Sequence, residues 1–277
     1  MDLRIEIAGD RAVCKQDGKE AFSVGLQEFL KAVVEQADYL SLPDAIPEGV
    51  CFIRRRRGVV VLVIEEKPLV RTVRWLADDS PAPFGPGAVY RPARLAFPFG
   101  IVMVALHHGA LTNFQQCFYR TSPLRSLSDP LFLPNLLNVA DTPAQKCWLC
   151  LVNMHKDLTA LTWPQRVAEI RKHFWGAGFN RSSEAHEGNS YWQRSAVDPR
   201  VATVAAWERE SQRDPFFPLH LPWRPAGKTV GQAIEEMMRA VCPNPRPTVA
   251  AELVPLLVPA GNPAARRLWL AAKASGK

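Results

Sequence analysis

Residues 131–157 read LFLPNLLNVADTPAQKCWLCLVNMHKD, and the fold turns on what leads into them. Two apolar runs come directly before, AFPFGIVMVAL over 96–106 and ALTNFQQCFYR over 110–120, separated by His107-His108-Gly109. Both are rich in β-branched and aromatic residues, so they read as strands of Phe97 to Leu106 and Ala110 to Tyr119 joined by a tight turn. The hairpin delivers the chain into a loop carrying Pro134, Asn135 and Asn138, and then to Cys147-Trp148-Leu149-Cys150. Amides that can donate to an oxyanion, followed by a thiol, are a frame for acyl chemistry.

Toward the N-terminus the pattern is mostly β. LRIEI and RAVCK alternate around Gly9-Asp10, and Asp17-Gly18 is a second turn. From Ser23 to Leu40 the spacing of Leu26, Phe29, Leu30, Val33, Val34 and Ala37 predicts a helix with Ser23 as its N-cap. Val50 to Arg54 and Val59 to Glu65 read as strands around a turn at Arg54-Arg55-Arg56-Arg57. That run is either a solvated hairpin tip or a docking patch for an acidic partner. Leu69 to Trp75 alternates as a third strand, and SPAPFGPGAVYRPA, residues 80–93, reads as a loop. Toward the C-terminus, Thr162-Trp163-Pro164 opens a helix to Trp175, and residues 176–191 read as a loop. Helices follow over Val197 to Ser211 and Thr229 to Val241, before a proline-rich tail.

The chain has 277 residues, 47% hydrophobic and 22% charged, a globular composition able to bury a core. No apolar run reaches the roughly 20 residues of a membrane span, and the charged N-terminus holds no apolar signal region. A cytoplasmic location with reduced cysteines is expected, and no membrane partner. The net charge of +7 comes from basic residues that are mostly scattered, which argues against nucleic acid as the main partner.

Four readings fit the CxxC. It can be half of a zinc site, with Cys117 and His155 recruited by the fold, or a redox dithiol. It can hold one nucleophile beside one buried thiol, or two buried structural cysteines. His155 is a candidate general base. Asn135 and Asn138 either hold a turn or donate to an oxyanion. The His107-His108 turn reads as exposed and inert. The chain has no P-loop, dinucleotide fingerprint, Ser/His/Asp hydrolase motif or paired glycosidase carboxylates.

The order of helix, antiparallel meander, Pro-Asn, loop, cysteine and further helices resembles the ubiquitin-conjugating enzymes. Leu133-Pro134-Asn135 stands where that family carries His-Pro-Asn, and Cys147-Trp148-Leu149 where it carries its catalytic cysteine. The chain is most similar to the divergent prokaryotic members, family D and the PRTRC system protein B. The carriers are FPFGIVMVAL, LTNFQQCFYR, Ser122-Pro123-Leu124, Leu137-Asn138-Val139 before Lys146-Cys147, and Phe174-Trp175-Gly176-Ala177-Gly178-Phe179-Asn180. The likeness covers roughly residues 50–180; Leu133 replaces the histidine, and the glycine usual before the cysteine is absent.

The resemblance implies an α+β fold: a ubiquitin-conjugating-enzyme-like antiparallel meander with an N-terminal helix and added C-terminal helices. Its parts would be an N-terminal hairpin and helix over 1–48, a core over 49–184 and a helical extension over 185–277. It implies a conjugating enzyme of a bacterial ubiquitin-like pathway, of the kind found in antiphage defence, needing no cofactor or metal. Cys147 would accept the C-terminal carbonyl of a ubiquitin-like protein from a ThiF-like activating enzyme, with Asn138, or else Asn135, supporting the oxyanion. Asp157 is a candidate for positioning the incoming lysine, the N-terminal hairpin for docking the activating enzyme, and a JAB-type protease for reversing the conjugation. Cys150 is a second thiol that the pattern does not require. Two other classes stand beside this one. One is an inactive scaffold of the same fold. The other is a nucleic-acid-associated plasmid or defence protein, which would display Arg74-Trp75, Trp192-Gln193-Arg194 and Trp223-Arg224 on one surface.

Overall fold

A computed structural model describes residues 3–29, 46–56, 58–141, 146–151, 154, 157–182, 191 and 197–241. They form two compact units, one within residues 1–42 and one within 43–241. The architecture is mixed α+β and mostly antiparallel.

In the first unit β1 (Leu3–Ala8), β2 (Arg11–Gln16) and β3 (Lys19–Gly25) form an antiparallel sheet in that order. Asp17 and Gly18 both have positive φ, the conformation a two-residue Asp-Gly hairpin turn requires. That turn sends the chain straight back along β2, so Ser23 lies in β3 rather than capping a helix. Its hydroxyl accepts from Arg11 Nη2 at 2.7 Å. Helix begins at residue 26; residues 30–40 of the expected helix lie outside the described residues.

The second unit is built on β4 (Val50–Arg56), β5 (Val59–Glu66), β8 (Phe99–His107) and β9 (Ala110–Arg120), with β12 (Lys146–Leu149) and β11 (Val139–Asp141) continuing beyond β9. β10 (Pro130–Phe132) also joins β9 and pairs with β14 (Pro225–Thr229). Val61 to Ile64 and Ile101 to Leu106 are buried on both faces, which explains their unbroken apolar sequences. On one face β5, β8 and β9 carry a C-terminal helix, Val230–Val241, whose Val230, Ala233, Ile234, Met237 and Met238 are buried at helical spacing. Among the described residues no helix is long and apolar enough to cross a membrane.

Consecutive strands do not simply succeed one another in this sheet. β6 (Leu69–Leu76) and β7 (Tyr90–Phe97) leave it and form a second sheet with β13 (Gly178–Phe179), which runs parallel to β6. Pro68 and Pro98 stand at the two departures, where a missing N–H ends a ladder. The strand expected from Phe97 thus begins at Phe99, and the loop expected over 80–93 ends at Val89.

Pro92 sits inside β7 at no loss. Arg94 N–H and Ala96 N–H point away from β6, to Glu208 Oε1 at 3.0 Å and Ser211 Oγ at 2.8 Å. Pro92, two residues before Arg94, turns its nitrogen to that same free edge. The helix that covers the edge is Val204–Arg213, preceded by a 3-10 turn over Pro199–Val201, so the helix expected from Val197 starts later. Trp163–Gly176, the helix opened by Pro164, buries Val167, Ile170 and Phe174. Its Arg171 donates to Glu66 at 2.5 Å, opposite Arg71 at 2.7 Å, which ties helix, β5 and β6 through one buried carboxylate.

We number the helices α1 (Trp163–Gly176), α2 (Val204–Arg213) and α3 (Val230–Val241).

Candidate functional site

The end of β9 places the asparagine loop. Tyr119 pairs with Phe132, and Leu133 N–H donates to Arg224 O at 2.8 Å beside β14. From there Pro134 to Ala140 run buried. Asn135 is fully buried and Asn138 is 2% exposed. Among the described residues neither Nδ2 nor Oδ1 of Asn135 has a hydrogen-bond partner, nor does Oδ1 of Asn138. A buried polar atom without a partner costs about 1–3 kcal/mol, so three within four residues demand an explanation. The Tyr119 hydroxyl is likewise buried without a partner, and burial holds its phenol well above the ordinary tyrosine range.

The loop feeds the β11–β12 hairpin, where Val139 pairs with Leu149 and Ala140 with Trp148. One step further out, Cys150 N–H donates to Asn138 O at 3.0 Å. β12 joins β9 at Trp148 opposite Gln116, and the Trp148 indole N–H donates to Asn113 O at 2.6 Å. Asp141 pairs with Lys146 but Ala140 with Trp148, so Cys147 is the extra residue of a β-bulge. Its φ is +59°, the left-handed conformation that glycine takes freely and other residues take at about 1–2 kcal/mol.

Alternation along β12 sorts the thiols. Cys147 and Leu149 are fully buried, whereas Trp148 and Cys150 are half-buried. Across the extended 147–150 backbone the two cysteine Cα atoms stand about 10 Å apart. A disulfide needs less than about 7 Å, so this arrangement does not form a redox pair. Among the described residues no three His, Cys, Asp or Glu side chains converge as metal ligands.

The sequence candidates therefore fall into groups. Cys147 lies on β12 and Asn138 immediately before β11, but the residue whose backbone is bonded to Asn138 is Cys150. His155 lies outside the described residues. Asp157 bridges to Ala110 and its Oδ1 accepts from Thr159 N–H at 3.0 Å, a local turn. His107 and His108 are an exposed turn, with rings 4.3 Å apart. Arg54, Arg55 and Arg56 are not a tip but strand residues of β4. Arg54 meets Glu235 at 3.5 Å, and Arg55 lies 5.1 Å over Trp163, which also carries Arg166 at 4.7 Å. Trp75 and Trp223 are core residues at 2% and 3% exposure, so neither is a stacking platform; residues 192–194 lie outside the described residues. No residue marks the bulge at Cys147 in advance, because glycine, its usual marker, is absent there.

The strain at Cys147 is testable. Cys147→Gly gives up a small buried side chain but relaxes the backbone, and we expect urea unfolding to find it within about 1 kcal/mol of the native chain. Cys147→Val, whose β-branch is forced to positive φ, is expected to lose at least about 2 kcal/mol. Equal effects from the two would show that the bulge conformation is not kept in solution.

Comparison with protein-family models, with curated proteins and with solved structures finds no match to this chain.

Proposed function

We propose that the chain is a thioester carrier of the ubiquitin-conjugating type, acting in a bacterial ubiquitin-like pathway in the cytoplasm. One juxtaposition carries the reading. The Cys147–Cys150 strand is paired with the chain leaving Asn138, and the buried asparagines there keep amide atoms unpaired. Of these atoms Asn135 Nδ2 is a donor, and a buried donor without a partner suits a carbonyl oxygen that gains charge. The antiparallel β4, β5, β8 and β9 leading into a Pro-Asn loop and a cysteine hairpin support a conjugating-enzyme-like fold, which in this chain would carry the β6–β7 hairpin as an excursion.

The chemistry balances with groups of this chain and an acylated activating enzyme of the ThiF kind, which consumes ATP. A thiol of the 147–150 strand adds to the C-terminal carbonyl carbon of the ubiquitin-like protein. The new C–S bond forms, the bond to the activating enzyme breaks, and the departing thiolate takes the proton of the incoming thiol. In the second step an amine, most simply a lysine side chain, attacks the same carbon. A C–N bond forms, the C–S bond breaks, and the surplus proton of the amine passes to the cysteine thiolate. An asparagine amide at the oxyanion would contribute about 3–4 kcal/mol. A JAB-type protease would reverse the final product.

Incubation with ATP, the activating enzyme and its ubiquitin-like protein is expected to give an adduct that reductant removes. The adduct is lost when Cys147 and Cys150 are both alanine. No adduct, with both partners shown to be active together, would overturn the reading. The full burial of Cys147 specifically favours the second reading, a scaffold that binds the ubiquitin-like protein without acylation; binding to wild type and to the double-alanine variant would then be equal.

A further inference from the structure

We propose that the open face of the β13–β6–β7 sheet binds single-stranded nucleic acid, with Tyr90 as a base-stacking platform and Arg74 and Arg94 as phosphate contacts. This sheet is not the one that carries the cysteine hairpin, and its ligand does not depend on the thioester reading.

The sheet has a buried side and an open side. Val73, Trp75, Ala93 and Leu95 are buried, and Thr72, Arg74, Pro92 and Arg94 alternate with them and are exposed. Arg74 pairs with Pro92 and Thr72 with Arg94, so the two arginines are diagonal neighbours, roughly 7–8 Å apart. Gly178 pairs with Arg74 from the other side, which continues the open face onto β13.

The ring on this face is Tyr90. A methyl group at Gly178 would stand 2.5 Å from Tyr90 Cε1 and 2.7 Å from Cζ, so the ring reaches from β7 across β6 and rests where β13 has no side chain. Asn180 Nδ2 donates to the Tyr90 hydroxyl at 3.0 Å and to Gly178 O at 2.9 Å, which fixes the far end of the ring. Trp75, the sequence neighbour of Arg74, turns into the core; the surface ring comes instead from the next strand. An aromatic ring fixed on an exposed sheet is a platform for unpaired bases, and it serves any base because every base has a π-face.

The charge on this face is uncompensated. The Arg74 guanidinium carbon lies 4.9 Å from the Tyr90 ring centroid, where it extends the stacking surface as well as carrying charge. Among the described residues neither Arg74 nor Arg94 meets a carboxylate, whereas Arg71, Arg91, Arg120, Arg171 and Arg200 each do. Glu208, at the edge of β7, is taken up by Arg91 Nη1 at 2.9 Å and Arg94 N–H at 3.0 Å. Two free guanidinia suit a polyanion, and the ring between strands selects one with bases to stack. A duplex keeps its bases inside its own stack, so the occupant is single-stranded.

The test is fluorescence anisotropy of the full chain with a labelled oligothymidylate of about 12 nucleotides, within the span of known single-strand sites. Binding is expected at about 50 mM salt and weakens as salt rises. Tyr90→Ala weakens it about tenfold or more, and Tyr90→Phe, which keeps the ring, stays within about threefold of wild type. Gly178→Ala keeps every charge but displaces the ring, and weakens binding as Tyr90→Ala does. Arg74→Gln with Arg94→Gln lowers the slope of log affinity against log salt by about 1.4, the value of two phosphate contacts on a single strand. Lys172→Gln with Arg239→Gln removes the same charge from exposed positions on α1 and α3 and leaves the slope unchanged. No binding at about 50 mM salt overturns the proposal, as does a duplex of the same length bound as tightly. A slope that falls equally in the two double variants overturns the face. Polyglutamate that displaces the probe as well as unlabelled oligothymidylate does would give the face to an acidic protein segment and overturn the stacking role.

Discussion

Trp207→Ala is expected to remove about 3–5 kcal/mol of unfolding free energy, the range for emptying a buried aromatic site. Trp207 is fully buried on α2, with its ring edge-on to Trp75 at 6.1 Å and to Phe97 at 5.3 Å. Phe97 in turn meets Trp175 at 5.1 Å, so the cavity would open inside a cluster whose members cannot all collapse inward. The indole N–H also donates to Ala96 O at 2.8 Å, alongside the bonds that Glu208 and Ser211 of α2 make to the free edge of β7. Losing the tryptophan therefore weakens both a core and an edge cover, and an uncovered edge invites pairing between molecules. Urea unfolding with light scattering reads both effects. A loss below about 1 kcal/mol would mean that α2 does not pack on β7 in solution.

What the sequence discloses, and what it hides, follows from where each signal lives. The strand read over Val59 to Glu65, the turn at His107-His108-Gly109 and the helix read over Thr229 to Val241 are local patterns with one good solution each. They appear in the structure within a residue of where they are read. β7 was hidden because Pro92 looks like loop chemistry until its nitrogen is seen to face the edge that α2 covers. Ser23 looked like a cap because its strand partner, Val13, is too far upstream to be a local signal. The site divides in the same way. That Asn138 and the CxxC belong together is legible from their order. That Asn138 faces Cys150 depends on a one-residue bulge, and a single inserted residue reverses the faces of everything after it. The arginine run misled for a related reason: Arg55 is amphipathic enough to lie over Trp163 instead of standing in water.

Asn135→Leu is expected to stabilise the protein by about 2 kcal/mol while abolishing what the loop does. Leucine has nearly the shape of asparagine with its two polar atoms replaced by methyl groups. In most cores the change is harmful, because the amide's partners are left unpaired. Here the amide has none: Asn135 is fully buried and both Nδ2 and Oδ1 lack partners. Removing two unsatisfied atoms returns roughly 1–3 kcal/mol for each that is dry in the native state, less whatever the added volume strains. A residue whose replacement improves stability is retained for another reason, and stability forgone at a reactive centre is the usual one. The prediction separates the two meanings of this asparagine. If it holds a turn through its own backbone bonds, Asn135→Leu loses stability in urea unfolding. If it waits for a ligand or a developing charge, Asn135→Leu gains stability, and the reductant-sensitive adduct formed with the activating enzyme slows by tenfold or more. Stability gained with adduct formation unchanged would show a buried amide that serves neither purpose, and would remove Asn135 from the site while leaving Asn138 and Cys150 in it.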